Sequence, residues 1–203
     1  FFTEIYDGVL VTDFWAAYNS VICPEKQKCL PHLFREIDKV DKSNKSKSWE
    51  RFRKKLKRLL KDALRLRENE DFKKRKKKDR AHRIEDRLGD LIYEFENNKD
   101  PDVKRLTKRL FKYQEEIFTF LKYDYVPPDN NHGERQIRSA VTMRKISYGN
   151  QSVKGAETRA IMMSVFRTLK NYDLNPIDEI VTALEHYTEY GKLPKFPLCF
   201  SQH

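Results

Sequence analysis

Apolar residues recur along the middle of this chain at alternating intervals of three and four, the spacing that gathers side chains on one face of a helix. Trp49, Phe52, Leu56, Leu59, Ala63 and Leu66 form a first stripe. Ala81, Ile84, Leu88, Leu91 and Phe95 form a second, and Val103, Leu106, Leu110, Tyr113, Ile117 and Phe120 a third. One narrow stripe per helix suits helices laid side by side in a hairpin or small bundle. Asp100-Pro101 marks a helix start, because proline is tolerated at the first helical position. A different pattern opens the chain. Gly8-Val9-Leu10-Val11-Thr12-Asp13 is a short, partly β-branched apolar run after an Asp-Gly turn pair and reads as a buried strand. Phe14 to Val21 predicts a short helix, and Lys28-Cys29-Leu30 a second strand that Pro31 confines to an edge or an end. Strand, helix and strand in that order imply a parallel pair, hence an α/β fold in a predominantly helical chain.

Pro127-Pro128-Asp129-Asn130-Asn131 breaks the pattern, and a helix follows from about His132. Beyond a loop carrying Gly149 and Gly155, Ala160, Met163, Phe166 and Leu169 predict an apolar helix. Asn175-Pro176, with Asp178 three residues after the cap, starts the last helix, which ends at Gly191 with Pro194 beyond.

Charge changes this picture of a plain helical protein. The 203 residues carry 42 Lys and Arg against 31 Asp and Glu, a net of +11, and a pI near 9.5. Residues 42–83 alone hold 20 Lys or Arg against 6 Asp or Glu, a net of +14, so the rest of the chain nets −3. The basicity belongs to one segment and favours a polyanionic partner, nucleic acid before an anionic membrane surface. Its Lys73–Lys78 run reads as a solvated face or a loop between helices. No apolar run approaches the ~20 residues of a membrane span, and no signal peptide opens the chain. A start at Phe1, without Met, suggests an excised or truncated piece. Three irregularly spaced cysteines, Cys23, Cys29 and Cys199, argue against a disulfide framework and for a reducing cytoplasm. Cys23, Cys29 and His32 invite a zinc reading. No CxxC pair exists, however, and the fourth ligand would have to be Cys199 or another His, so zinc is not expected.

Two acidic residues are candidates for chemistry. Asp13 ends the first strand, where open α/β sheets place ligands; it also suits an N-cap for the helix after it. Glu134 lies three residues after Asn131, the spacing of a capping box, and four before Arg138, the spacing of a helical ion pair. Taken singly, both positions admit these structural readings.

The wider pattern resembles the transposases of the insertion-sequence-66 family. Gly8 to Tyr18 is similar to the family's second-aspartate strand and following helix, and Cys29-Leu-Pro-His32-Leu-Phe-Arg35 to its Cys-x-x-His-x-x-Arg stretch. Asp129-Asn130-Asn131-His-Gly-Glu134-Arg135-Gln-Ile137-Arg138 resembles its Asp-Asn-Asn-x-x-Glu-Arg-x-Ile-Arg signature, with Gly133 in place of the expected Ala. Arg144-Lys145 and the glycine loop through Gly155 follow at the family's distance.

The resemblance implies an incomplete ribonuclease-H-like fold with a large helical insertion. Residues 1–41 would be the second-aspartate strand region, 42–126 the basic insertion, 127–171 the glutamate helix with the next core helix, and 172–203 a C-terminal helix and tail. It implies a DNA transposase that uses three carboxylates to hold two Mg²⁺ ions, with Asp13 and Glu134 as the second and third. The first aspartate would lie upstream of Phe1. Asp7 is not a substitute, because six extended residues put it about 20 Å from Asp13. The fragment alone is therefore expected to be inactive.

His32, Arg35, Asn130 and Asn131 would stand behind the metal ligands or face DNA. Arg135, Arg138, Arg144 and Lys145 would meet phosphates, as would Lys73, Lys74, Lys76, Lys77 and Lys78. Transposon-end and target DNA are the implied partners, a homo-oligomer on DNA a further one, and the nucleoid-associated bacterial cytoplasm the implied location. A non-catalytic DNA-binding remnant, or a basic helical scaffold for RNA or another chain, are the alternatives.

Overall fold

The computed structural model describes residues 5–68, 74–146, 148–150 and 152–194, with the side chains of residues 74–77 also outside the description. Two compact units divide the chain, Phe1–Glu134 and Arg135–His203. The first contains the sheet found among the described residues, a parallel pair of β1 (Val9–Thr12) and β2 (Glu25–Lys28) in the register Val9↔Glu25 to Thr12↔Lys28. An isolated bridge between Ile5 and Ile22 extends the pairing backwards.

The sequence places the second strand at Lys28–Leu30. It runs instead from Glu25 to Lys28, and Leu30 is already the first residue of helix α1 (Leu30–Ser43). Pro31 decides this: in a first helical turn its missing N–H costs nothing, so it opens a helix here rather than closing a strand. Helix α1 is absent from the sequence reading, although Leu30, Leu33, Ile37 and Val40 carry the same three-four spacing and are all buried. The helix expected over 14–21 is a 3-10 helix, Ala16–Ser20, introduced by an Asx-turn in which Trp15 N–H donates to Asp13 Oδ1 at 2.8 Å. Twelve residues joining two parallel strands leave little room for more.

The first two predicted stripes become the buried faces of α2 (Lys47–Glu68) and α3 (Lys74–Phe95). They pack with α1 and α4 (Pro101–Lys112) around Trp49, Phe52 and Leu106, each apolar side chain of that size contributing roughly 1.5–3 kcal/mol. Tracing one helix through the third stripe is incorrect. Its residues are buried as expected, but the backbone breaks at Tyr113 and Phe118, giving α4, α5 (Gln114–Ile117) and α6 (Thr119–Lys122). The broken turns and the outer edge of β2 satisfy one another. Gln27, fully buried, accepts from Phe120 N–H at 2.9 Å and donates to the Ile117 carbonyl at 2.9 Å. Thr119 Oγ1 donates to the Lys26 carbonyl at 2.6 Å. The Ile117 carbonyl and the Phe120 N–H, which a continuous helix would pair internally, find their partner in the Gln27 side chain instead.

Asp100 caps α4 as its sequence predicts, accepting from the Asp102 and Val103 N–H groups. Ser46 and Asn44 also donate to it, tying the α1–α2 turn to α4. Burial pushes the Asp100 carboxyl upward, but the hydrogen bonds from Ser46, Asn44, Val103 and Asp102 outweigh it and hold the group below its ordinary range. A depressed carboxylate stabilises the fold above its unfolded pKa, and that contribution is lost as pH falls through the folded value. Wild type should therefore lose stability below about pH 4, and Asp100→Asn should lose less over the same interval. Urea midpoints at pH 7 and pH 3 check this; equal losses in both proteins would refute it.

The second unit comprises most of α7 (Asn131–Ile146), with α8 (Val153–Asn171) and α9 (Pro176–Tyr190). Ser152 caps α8 through Gly155 N–H and Asn175 caps α9 through Ile177 N–H. Gly191 ends α9 at φ +68°, in the left-handed region that glycine enters without a Cβ penalty. Among the described residues, no helix is long and apolar enough to cross a membrane.

Candidate functional site

Three separate segments are stitched together at the carboxyl end of β1. The Thr12 carbonyl accepts from Cys29 N–H at 2.8 Å, which fixes the last residue before Asp13 against the start of α1. Leu30 N–H donates to the Pro128 carbonyl at 2.9 Å, and Asn130 N–H to Cys29 Sγ at 3.3 Å. The Asp-Asn-Asn turn is thus fastened to the Cys-x-x-His turn. Helix α7 begins at Asn131 rather than about His132, the Asp129 carboxylate accepting from Asn131 N–H at 2.8 Å. Three residues in, Glu134 leans over α1.

There Glu134 Oε1 lies 3.6 Å from His32 Nδ1 and 4.0 Å from Arg35 Nη2. Cys29, His32 and Glu134 offer a sulfur, a nitrogen and an oxygen that all lie within 4.8 Å of one another. Cys29 is fully buried, His32 and Glu134 about two-thirds buried at their side chains. Burial pushes the Cys29 thiol up; N–H bonds from Asn130 and His32 pull it down, and the nearby Glu134 and Asp129 carboxylates push it further up. The net is upward, so the free sulfur is a thiol that accepts hydrogen bonds. His32 Nδ1 is shielded from solvent and has no hydrogen-bond partner.

Asp13 is half-buried and spends one oxygen on Trp15 N–H. Asp7 belongs to the other end of the strand pair, next to Tyr6, whose N–H donates to the Ile22 carbonyl; Thr12 pairs with Lys28. Arg135, Arg138, Arg144 and Lys145 are all exposed on α7. Lys78 is exposed on α3; Lys74, Lys76 and Lys77 share that helix with their side chains outside the described residues, as Lys73 is altogether. Cys199 also falls outside them. Cys23 bonds to the Glu25 carbonyl at 3.4 Å and is not grouped with Cys29 and His32.

Sequence pattern alone does not join Cys29 to Glu134. The signal was there in two turns, each naming the other's partner type, but no local spacing links residues 105 positions apart. Nor does the sequence pattern single out Lys28, which is fully buried beside Thr12 in the strand pair. Its Nζ donates to Thr12 Oγ1 at 3.1 Å, lies 3.4 Å from Glu116 Oε2 without hydrogen-bond geometry, and sits 4.6 Å over the Tyr113 ring.

Fold and site together define a helical α/β protein with a strongly basic helical segment, in which the segments before a strand-end aspartate and a helix-borne glutamate are each hydrogen-bonded to the start of α1. Residues 1–158 match the family model described as Transposase IS66 family, and the chain belongs to that family. A curated relative, the uncharacterized protein y4jO of Sinorhizobium fredii (strain NBRC 101917 / NGR234), is 34% identical over 74 residues. That match covers 36% of this chain and 23% of the relative, so the chain spans less than a quarter of that protein. No solved structure matches the chain.

Proposed function

We propose that this chain is the part of a DNA transposase that supplies the second and third metal-binding carboxylates, Asp13 and Glu134. The observation that supports this reading is the shared anchoring of both segments on Cys29, whose N–H donates to the Thr12 carbonyl just before Asp13 and whose sulfur accepts from the Asn130 N–H just before the turn to Glu134. Residues 1–41 and 127–171 are then parts of a ribonuclease-H-like core, residues 42–126 an insertion within it, and residues 172–203 a C-terminal helix and tail.

Asp13 keeps Oδ2 for a ligand while Oδ1 holds its turn. Carboxylate oxygens of this kind suit hard Mg²⁺. Two such ions, when bound, activate the attacking oxygen and steady the leaving oxygen in phosphodiester cleavage and strand transfer. The residues of this chain prepare the ground. His32 and Arg35 orient Glu134, Asn130 and Asn131 shape the turn before it, and exposed Arg135, Arg138, Arg144 and Lys145 meet phosphates. The basic insertion, with Lys73, Lys74, Lys76, Lys77 and Lys78, adds contacts to the DNA backbone that do not read sequence.

Three carboxylates are required and Asp7 precedes the end of β1 opposite Asp13, so residues 1–203 by themselves should bind DNA but neither nick nor join it. The intact protein should do both with Mg²⁺ on transposon-end DNA, and binding should weaken steeply with salt. Cleavage by the isolated chain, undiminished by Asp13→Asn, would overturn the assignment. DNA binding without cleavage by the intact protein would favour the non-catalytic reading.

A further inference from the structure

The donor set beside Glu134 is not one that Mg²⁺ selects. A thiol sulfur and an imidazole nitrogen are ligands for softer ions, Zn²⁺ above all, while carboxylate oxygen serves either class. We propose that Cys29 Sγ, His32 Nδ1 and one Glu134 oxygen form a binding site for a thiophilic divalent cation, Zn²⁺ or Co²⁺, with a fourth position open to water or an incoming oxygen.

Three observations bear on it independently. The first is geometric. A tetrahedral ion with metal–nitrogen and metal–oxygen bonds of about 2.0 Å sets those ligand atoms about 3.3 Å apart. His32 Nδ1 and Glu134 Oε1 stand at 3.6 Å, too long for the hydrogen bond they do not make and close to the separation of two ligands on one ion. The second is the orphaned Nδ1 itself, shielded from water, on a residue whose neighbour at that atom is an acceptor. A buried polar atom without a partner is uncommon, and a missing ion is one of its ordinary causes. The third is the support behind the sulfur. Asn130 N–H already points at Cys29 Sγ at 3.3 Å, the kind of outer hydrogen bond that steadies a metal-bound thiolate. Cys29 and His32 also lie three residues apart at the start of α1, and the sulfur would bind as a thiolate, releasing its proton to solvent as the ion enters.

Arg35 opposes the ion, with its guanidinium 4.0 Å from Glu134, but its side chain is 61% exposed and free to turn outward. Binding requires nothing of the transposase reading. One consequence rests on it: an ion held here would take the carboxylate that the Mg²⁺ site needs, so Zn²⁺ would compete with Mg²⁺ for Glu134.

Co²⁺ titration of the reduced 203-residue chain tests the site by spectrum rather than by activity. One equivalent should produce a sulfur-to-cobalt charge-transfer band and the visible bands of a tetrahedral ion, both bleached by one equivalent of Zn²⁺. Cys29→Ser should remove the charge-transfer band. His32→Gln and Glu134→Gln, at partly exposed positions that should not compromise folding, should each weaken binding at least about tenfold. Cys23→Ser and Cys199→Ser should leave the spectrum unchanged. Asp13→Asn separates the two readings: Co²⁺ binding should persist in it while Mg²⁺-dependent cleavage by the intact protein is lost. No charge-transfer band in the wild-type chain, or one that survives Cys29→Ser, would overturn the site and leave His32 as a positioning residue for Glu134.

Discussion

Glu134→Gln in the intact transposase should lower strand cleavage by about three orders of magnitude or more, while the folded chain loses less than about 1 kcal/mol of stability. Gln keeps the shape and one acceptor oxygen but removes the charge that would draw a divalent cation to the strand end. Each tenfold loss corresponds to about 1.4 kcal/mol, so three decades ask about 4 kcal/mol of that charge, within what a metal contributes to a phosphoryl transition state. The stability arm follows from the contacts. Glu134 meets His32 at 3.6 Å and Arg35 at 4.0 Å, and its side chain is 38% exposed, so these pairs hold little folding energy. Single-turnover cleavage with Mg²⁺, beside urea denaturation of the same variant, checks both arms. A variant that cleaves within tenfold of wild type would remove Glu134 from the chemistry. One that loses activity only in step with its melting temperature would make Glu134 a structural residue.

Glu116→Ala is expected to cost about 3 kcal/mol, far more than an ordinary surface exchange. Its target is Lys28, whose side chain has no exposed surface and whose carboxylate neighbour among the described residues is Glu116 at 3.4 Å. Thr12 Oγ1 and the Tyr113 ring face the same nitrogen, but neither carries a full negative charge. Removing the carboxylate leaves a buried cation that must be desolvated uncompensated, unfold locally or lose its proton. Exchanging both partners for uncharged groups, Lys28→Met with Glu116→Gln, should recover most of the loss. The result matters for the site because Lys28 lies beside Thr12 in the strand pair, and slackness there would loosen the strand end that precedes Asp13. Equilibrium urea unfolding of the single and double variants decides it. A cost below about 1 kcal/mol for Glu116→Ala would show that water reaches Lys28 after all.

Local pattern was enough for the helical parts of this chain. The three-four stripes of α2 and α3 are buried as read, and Asp100-Pro101 and Asn175-Pro176 cap helices where they should. A stripe or cap acts within a few residues, so sequence neighbours contain the whole cause. The motif residues of the family signature were equally legible, because they are written as residue types at fixed short spacings. What lay beyond reach was everything settled by partners far along the chain. Glu25-Lys26-Gln27-Lys28 is wholly polar and gives no strand signal, yet Gln27 and Lys28 are fully buried. Their burial is tolerable only because Phe120, Ile117, Thr12 and Glu116 supply the opposite halves of the bonds and charges. The third stripe broke for the same reason, its turns bonding to Lys26 and Gln27 of β2. Cys29 and Glu134 likewise became one site only when the Asn130 N–H reached the sulfur. Buried polar groups must be satisfied somewhere, but a sequence states the demand without stating where the partner lies, and only the tertiary fold supplies it.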